Sequence, residues 1–247
     1  NLPLIKMFCE SGAQVFACDS RERESLGVNA QMAEEFGATL CLGEGYLDNL
    51  QVECVFRTPG MNYNSPVLSR MREDGVAVTS EMELFFELCP CRIIAVTGSD
   101  GKTTTTTIIS ELLKTEGYTV HLGGNIGNPL LCDTPTIKKG DMVVVELSSF
   151  QLMDMERSAH VAVVTNLAPN HLDMHKDMNE YVEAKKNIFN FQNEKGLLVL
   201  NHDNAITDAF TGNGKTVKFS RQGTAHVCLN GDMITRGGEE VLNTGDI

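Results

Sequence analysis

Residues 95–107 read Ala-Val-Thr-Gly-Ser-Asp-Gly-Lys-Thr-Thr-Thr-Thr-Thr. Gly98 and Gly101 stand three places apart, Lys102 follows at once, and five threonines come next. Glycines let a backbone approach a phosphate closely, and the N–H groups of a helix start point at an anion. In such a turn Gly98, Ser99, Asp100 and Gly101 would wrap the phosphates, Lys102 would offset β- and γ-phosphate charge, and the Thr103 hydroxyl would hold Mg2+. The common form of this loop has a glycine five places before its Gly-Lys; that place is Val96 here, so Gly98-x-x-Gly101-Lys102-Thr103 is a shortened loop. Branched threonine is a poor helix former. Thr103 and Thr104 are therefore candidate ligand groups, and the later threonines are residues of the first helical turn.

Further along, Val-Val-Val-Glu146 ends an apolar run in an acid. A carboxylate at the carboxyl end of a parallel strand faces the ligand crevice. Its natural partner is the cation on Thr103; the alternative is a solvated strand-end carboxylate. His171, Asp173 and His175 follow the next apolar run. A zinc-protease pair needs His-Glu-x-x-His, and Leu172 breaks it. His171 remains a candidate ligand or polar support beside the loop. Lys185 and Lys186 fall on a helical stretch and, by themselves, read as a solvated face.

The elements that must place these groups alternate. Strands are expected over 14–18, 53–57, 77–79, 92–97, 119–122, 142–147, 161–166 and 197–201. Helices are expected over 29–36, 66–73, 81–88, 102–116 and 179–191. In the helix behind the loop, Ile108, Ile109, Leu112 and Leu113 mark one face, and Gly117 is the stop. Alternating βα units imply parallel sheet with helices on both faces. The unbroken apolar runs at 142–147 and 160–166 suit strands buried on both sides. The tail, 225–244, reads as short antiparallel strands around an Asn230-Gly231-Asp232 turn. The fold class is α/β: a partial Rossmann-like N-terminal domain over 1–90, then a phosphate-loop ATPase domain with a mostly parallel sheet over 91–247.

The chain has 247 residues and a net charge of −13, from 33 acidic and 20 basic side chains. Nucleic-acid-binding domains are normally basic, so no nucleic-acid partner is expected. Eight cysteines form no C-x-x-C pair, and Cys89-Pro90-Cys91 is too isolated for a zinc cage; free thiols in a reducing cytoplasm are the reading. No apolar run approaches the ~18–20 residues of a membrane span, and no signal peptide opens the chain. A cytoplasmic protein without a membrane partner is expected. The first twenty residues read as the end of a helix and then a strand, which implies a chain cut inside a domain.

Taken in order, Gly-Ser-Asp-Gly-Lys-Thr, the strand-end Glu146, the His171 loop and Tyr181-x-x-Ala184-Lys185 resemble the motifs of the Mur ligases, ATP-dependent enzymes that add amino acids to the peptidoglycan precursor. The resemblance runs through nearly the whole chain and is densest from Ile94 to Asn187. It implies ATP and two Mg2+ ions, with Thr103 and Glu146 on one ion and His171 on the second. It implies that Lys185 is carbamylated, which turns a cation into an anionic metal-side group, while Lys186 stays on the surface. Lys102, His171 and Lys185 would be the catalytic residues. "ELSSFQL" and "GGNIGNP" point to the branch that joins D-glutamate to UDP-N-acetylmuramoyl-L-alanine, and place Asn125 and Gln151 near the muramoyl substrate. Asp19, Ser20 and Arg21 resemble the uridine-site turn, and Thr58, Pro59 and Gly60 a second uridine-side loop; both are also common turn chemistry.

Two departures stand out. Asp100 replaces a frequent Asn or His, and an acid beside phosphates is unfavourable unless it faces away, caps the helix or reaches Mg2+ through water. "NLAPNH" replaces the acidic run that often precedes the His. The resemblance further implies a monomeric enzyme and a fragment, lacking the first strand of the uridine domain and the C-terminal domain that takes the amino acid, and by itself inactive. Three other readings share the loop: a sister ligase with another amino acid or acceptor, a kinase or NTPase that needs no amine, and a non-catalytic nucleotide-binding module.

Overall fold

A computed structural model of the chain describes residues 1–126, 129–169 and 175–246. It forms two compact units, Asn1–Glu81 with Pro129–Thr136, and Met82–Asn128 with Ile137–Ile247.

In the first unit, α1 (Leu2–Glu10), β1 (Phe16–Asp19), α2 (Arg23–Leu26), α3 (Val28–Glu35) and β2 (Thr39–Leu42) precede β3 (Cys54–Arg57), α4 (Pro66–Glu73) and β4 (Ala77–Ser80). β1 pairs with β2 and β3 with β4, both parallel. Ser65 caps α4 by accepting from the Leu68 N–H at 3.4 Å, and Pro66 at the first helical position needs no hydrogen bond there. β2 has no counterpart among the expected strands. Its four residues, Thr-Leu-Cys-Leu, are too short for a period and take strand form by pairing with β1.

α5 (Glu81–Leu88) leads to β5 (Arg92–Thr97), α6 (Lys102–Thr115), β6 (Val120–Gly124), β7 (Met142–Glu146), α7 (Ser149–Leu152), β8 (Val161–Val164), α8 (Met178–Asn190), β9 (Leu197–Asn201), α9 (Ala205–Asp208), β10 (Lys215–Ser220), β11 (Val227–Asn230), β12 (Met233–Arg236) and β13 (Glu239–Asn243). Among the described residues, β5 to β13 make one sheet in the order β13-β12-β11-β10-β9-β8-β5-β7-β6. β5 to β10 are parallel to their neighbours, while β11-β12-β13 turn antiparallel around Gly231 as expected. β10 was not expected: its Lys-Thr-Val-Lys-Phe-Ser alternates polar and apolar residues weakly and becomes a strand beside β9.

Ala95, Val96, Val143, Val144, Val145, Ala162 and Val164 are fully buried, so the centre of the sheet is covered on both faces. The chain fans from β5 to both sides, β6 and β7 on one and β8, β9 and β10 on the other. The carboxyl end of β5 is therefore the point where an open α/β sheet opens a crevice.

α6 corrects one expectation. Thr106 and Ser110 are fully buried, whereas Ile108 is 52% and Leu112 63% exposed. Small hydroxyl side chains let the helix lie close against the sheet; Ile108 and Leu112 face outward, while Ile109 and Leu113 are half-buried. No helix of the described residues is long and apolar enough to cross a membrane.

Candidate functional site

β5 ends at Thr97, the loop occupies residues 98–101, and Lys102 opens α6. Gly98 is required by close approach: a Cβ there would stand 1.9 Å from Thr165 Oγ1 and 3.1 Å from the Asn166 carbonyl. The segment after β8 fastens the loop. The Ser99 N–H donates to the Asn166 carbonyl at 2.9 Å, the Asp100 N–H to Asn166 Oδ1 at 2.9 Å, and Thr165 Oγ1 to the Asp100 carbonyl at 2.6 Å. Ser99 Oγ bonds the Ala168 backbone and lies 2.9 Å from the Tyr181 hydroxyl. Asp100 itself is exposed, so only its backbone joins this net. Thr165, Asn166 and Ala168 have no role of their own legible in the sequence, and the pairing of β8 with β5 brings them to the loop.

The threonine run divides by function. The Thr106 and Thr107 hydroxyls donate back to the Lys102 and Thr103 carbonyls at 2.7 and 2.8 Å, local i−4 bonds that leave neither hydroxyl unpaired. Thr103 does something else: its hydroxyl donates to Glu146 Oε2 at 2.6 Å. Glu146 is 2% exposed, and its other oxygen accepts from Asn125 Nδ2 at 2.9 Å. Gly124 makes that possible. Its φ is +97°, and a Cβ would stand 2.2 Å from the Glu146 carbonyl oxygen, so the end of β6 can close onto β7 only without a side chain. The Asn125 N–H then donates to that carbonyl at 2.7 Å.

Two lysines converge on the loop. Lys102 Nζ donates to the Gly98 and Ser99 carbonyls at 3.1 and 3.0 Å. Lys185 Nζ donates to the same Gly98 carbonyl at 3.0 Å and to Thr97 Oγ1 at 3.1 Å. Lys185 is 2% exposed and lies 4.9 Å from the centre of the Tyr181 ring. Burial, reinforced by the Lys102 charge and opposed by Glu146, pushes its pKa down to about 7. Burial also keeps the Tyr181 phenol protonated beyond its ordinary range. Lys186 pairs with Glu183 at 2.9 Å on the outside of α8.

Gln151 closes a capping box on α7: its Oε1 accepts from the Ser148 N–H at 3.0 Å, and Ser148 Oγ accepts from the Gln151 N–H at 3.2 Å. His171 lies outside the described residues. His175 is buried, 2.8 Å from Ser149 Oγ, and stacks on Phe150 at 5.0 Å. In the first unit, Asp19 ends β1 and takes a bidentate bond from Arg21 at 2.9 and 2.8 Å, which draws its carboxyl down to about 2. Ser20 is exposed between them. Thr58, Pro59 and Gly60 form the turn after β3, closed by the Met61 N–H on the Thr58 carbonyl at 3.0 Å. The buried Arg57 guanidinium braces it on the Thr58 and Met61 carbonyls.

Loop, acid and lysines thus occupy one crevice at the carboxyl end of β5, and the Mur ligase middle-domain profile matches residues 96–242 across all of them. The chain belongs to the Mur ligase family. Among relatives, UDP-N-acetylmuramoylalanine–D-glutamate ligase of Clostridium novyi (strain NT) is 49% identical over 252 residues, covering 100% of this chain and 55% of the relative. The enzyme of that name from Clostridium botulinum (strain Hall) is 47% identical with the same coverage. The chain spans about half the length of these curated relatives. The fold agrees with solved Mur ligases. UDP-N-acetylmuramate:L-alanyl-gamma-D-glutamyl-meso-diaminopimelate ligase from Neisseria meningitides gives a TM-score of 0.59 at 19% identity, covering 97% of this chain and 81% of that one. UDP-N-acetylmuramate-alanine ligase from Thermotoga maritima gives 0.53 at 20%, covering 97% and 56%.

Proposed function

We propose that this Mur ligase chain is part of an ATP-dependent amide ligase that adds D-glutamate to UDP-N-acetylmuramoyl-L-alanine in peptidoglycan precursor synthesis. The observation that carries the reading is the convergence of Lys102 and Lys185 on the Gly98 carbonyl beside the Thr103–Glu146 pair. Two ammonium groups on one carbonyl repel each other, and a polyphosphate or a carboxylate relieves that repulsion. The 49% identity to a D-glutamate ligase supports this choice of substrate over a sister ligase.

In the proposed reaction the muramoyl-alanine carboxylate attacks the γ-phosphate of ATP and forms an acyl phosphate; the D-glutamate amine then attacks that carbonyl and phosphate leaves. Gly98, Ser99, Asp100, Gly101, Lys102, Thr103 and Thr104 bind the nucleotide, and Lys102 neutralises the charge that builds as two anions meet. Mg2+ suits the Thr103 hydroxyl and Glu146 carboxylate, hard oxygen donors already 2.6 Å apart. His171 is the ligand assigned to a second ion. Bound there, Mg2+ would supply electrostatic stabilisation of the transferring phosphoryl group. Lys185 suits carbamylation: only a neutral amine takes up CO2, and burial holds this pKa near 7. Asn125 and Gln151 face the muramoyl substrate. Asp19, Ser20, Arg21, Thr58, Pro59 and Gly60 hold the uridine side. Residues 1–90 serve substrate binding and 91–247 ATP binding, in a monomeric cytoplasmic enzyme.

The test is phosphate release by the full-length protein with ATP, Mg2+ and UDP-N-acetylmuramoyl-L-alanine, one amino acid at a time. Release that needs both the nucleotide substrate and D-glutamate is expected. Release with another amino acid moves the protein to a sister ligase, and release without any amine overturns the ligase reading.

A further inference from the structure

The phosphate-loop chemistry makes no use of the thiols at the other end of β5. Cys89 follows α5, with its N–H still bonded to the Phe85 carbonyl at 2.9 Å, and Cys91 immediately precedes β5. Between them stands Pro90, whose ring fixes one backbone angle. The two Sγ atoms lie 3.7 Å apart. Cys91 is 5% exposed, while Cys89 is half-buried and reachable from solvent.

That separation selects a chemistry. A disulfide needs ~2.05 Å between sulfurs, so the pair would have to close by about 1.6 Å across a single proline. Two sulfurs bound to one pyramidal thiophilic centre at ~2.3 Å each and an angle of roughly 100° stand about 3.5 Å apart, so the pair would close by only about 0.2 Å. A structural metal would want further protein ligands, and no group of three or more His, Cys, Asp or Glu able to hold one occurs among the described residues. A centre satisfied by two sulfurs fits better. We infer that Cys89 and Cys91 form a vicinal-dithiol site that captures monosubstituted trivalent arsenicals.

The step balances without an oxidant. An arsenic(III) oxide R–As=O reacts with two thiols to give R–As(S–Cys)2 and one water. Two As–S bonds form, two S–H bonds and the As–O bond break, and the oxygen leaves with both thiol protons. Cys89 makes the first bond at the surface, and Cys91, already within bonding reach of the same centre, closes the chelate. Burial pushes the Cys91 thiol up to about 12, which makes it the slower nucleophile of the two; it reacts second, held beside the arsenic by the first bond, and its proton leaves on the departing oxygen.

Another thiol pair competes. Cys18 and Cys41 are directly opposed on β1 and β2, and the experiment must separate the two sites. The full-length protein is treated with one equivalent of phenylarsine oxide, and the intact mass and tryptic digest are measured. Residues 73–92, a single tryptic peptide, contain Cys89 and Cys91 and no other cysteine. The expected result is a mass gain of one phenylarsine oxide less one water on that peptide, reversed by a small dithiol but not by a monothiol. Cys89→Ser and Cys91→Ser should each abolish the bridged adduct, and Cys18→Ser should leave it. An adduct found only on other peptides, one that survives Cys89→Ser, or no bridged adduct on the unsubstituted protein overturns the proposal. Mapping on the unsubstituted protein decides the matter even if a variant folds poorly.

Discussion

Replacing Gly124 by alanine should cost more than replacing any glycine that is merely unusual in conformation. The added Cβ would lie 2.2 Å from the Glu146 carbonyl oxygen and 3.1 Å from that residue's C and N, all backbone atoms that no rotamer change can move. The φ of +97° adds conformational strain of about 1–3 kcal/mol. Overpacking against rigid neighbours adds about 1–3 kcal/mol more. A loss of about 2–6 kcal/mol is expected, a large share of the ~5–15 kcal/mol that holds a domain folded. Two controls separate the contributions. Gly117 has φ +89° but open space around a Cβ, so Gly117→Ala should show strain alone, about 1–3 kcal/mol. Gly140 has neither feature, and Gly140→Ala should stay within about 0.5 kcal/mol. The chain contains no tryptophan, so urea unfolding is best followed by far-UV circular dichroism, with ΔΔG taken from midpoints at constant m. If Gly124→Ala unfolds within 1 kcal/mol of Gly117→Ala, the close approach of β6 to β7 does not constrain the site as argued.

Lys185→Ala should inactivate the full-length enzyme and leave it partly restorable by acetate, because a small carboxylate can stand where the carbamate would; full activity without acetate would remove Lys185 from the reaction. Ile108→Lys should change stability by less than about 0.5 kcal/mol, since that side chain is 52% exposed, whereas Ser110→Leu on the fully buried face should cost about 1–3 kcal/mol. The reverse ranking in parallel urea titrations would restore the aliphatic face of α6 to the core.

The difference between those two α6 substitutions marks where sequence reading stops. The strand at 92–97, the loop and the helix start were legible because Gly-x-x-Gly-Lys-Thr between an apolar run and a helical one has few other uses. Glu146 was legible because an acid ending a fully apolar strand is costly unless something faces it. The orientation of α6 was not. Periodicity says which residues share a face, and it names the aliphatic face as the core; the loop geometry instead fixes the helix so that Thr106 and Ser110 meet the sheet. Nor could pattern find Thr165 and Asn166, whose value lies in backbone and amide groups that β8 sets beside the loop. β2 and β10 were invisible for a related reason: each is a weak strand former completed by a neighbour.

Lys185 shows how the same tertiary effect produces chemistry. On α8 alone, Lys185 and Lys186 are equivalent cations, yet one faces Glu183 at the surface while the other lies beneath the loop with 2% exposure. Two forces then act on Lys185 in the same direction. Desolvation disfavours its charge, and Lys102, sharing the Gly98 carbonyl, disfavours it further. A lysine in that position gains by becoming neutral. A phosphate would compete with the Gly98 and Ser99 carbonyls for Lys102, drawing its charge off the carbonyl that Lys185 shares. Occupancy of the loop would therefore bear on the charge state of Lys185 through one backbone oxygen, the Gly98 carbonyl that accepts from both lysines.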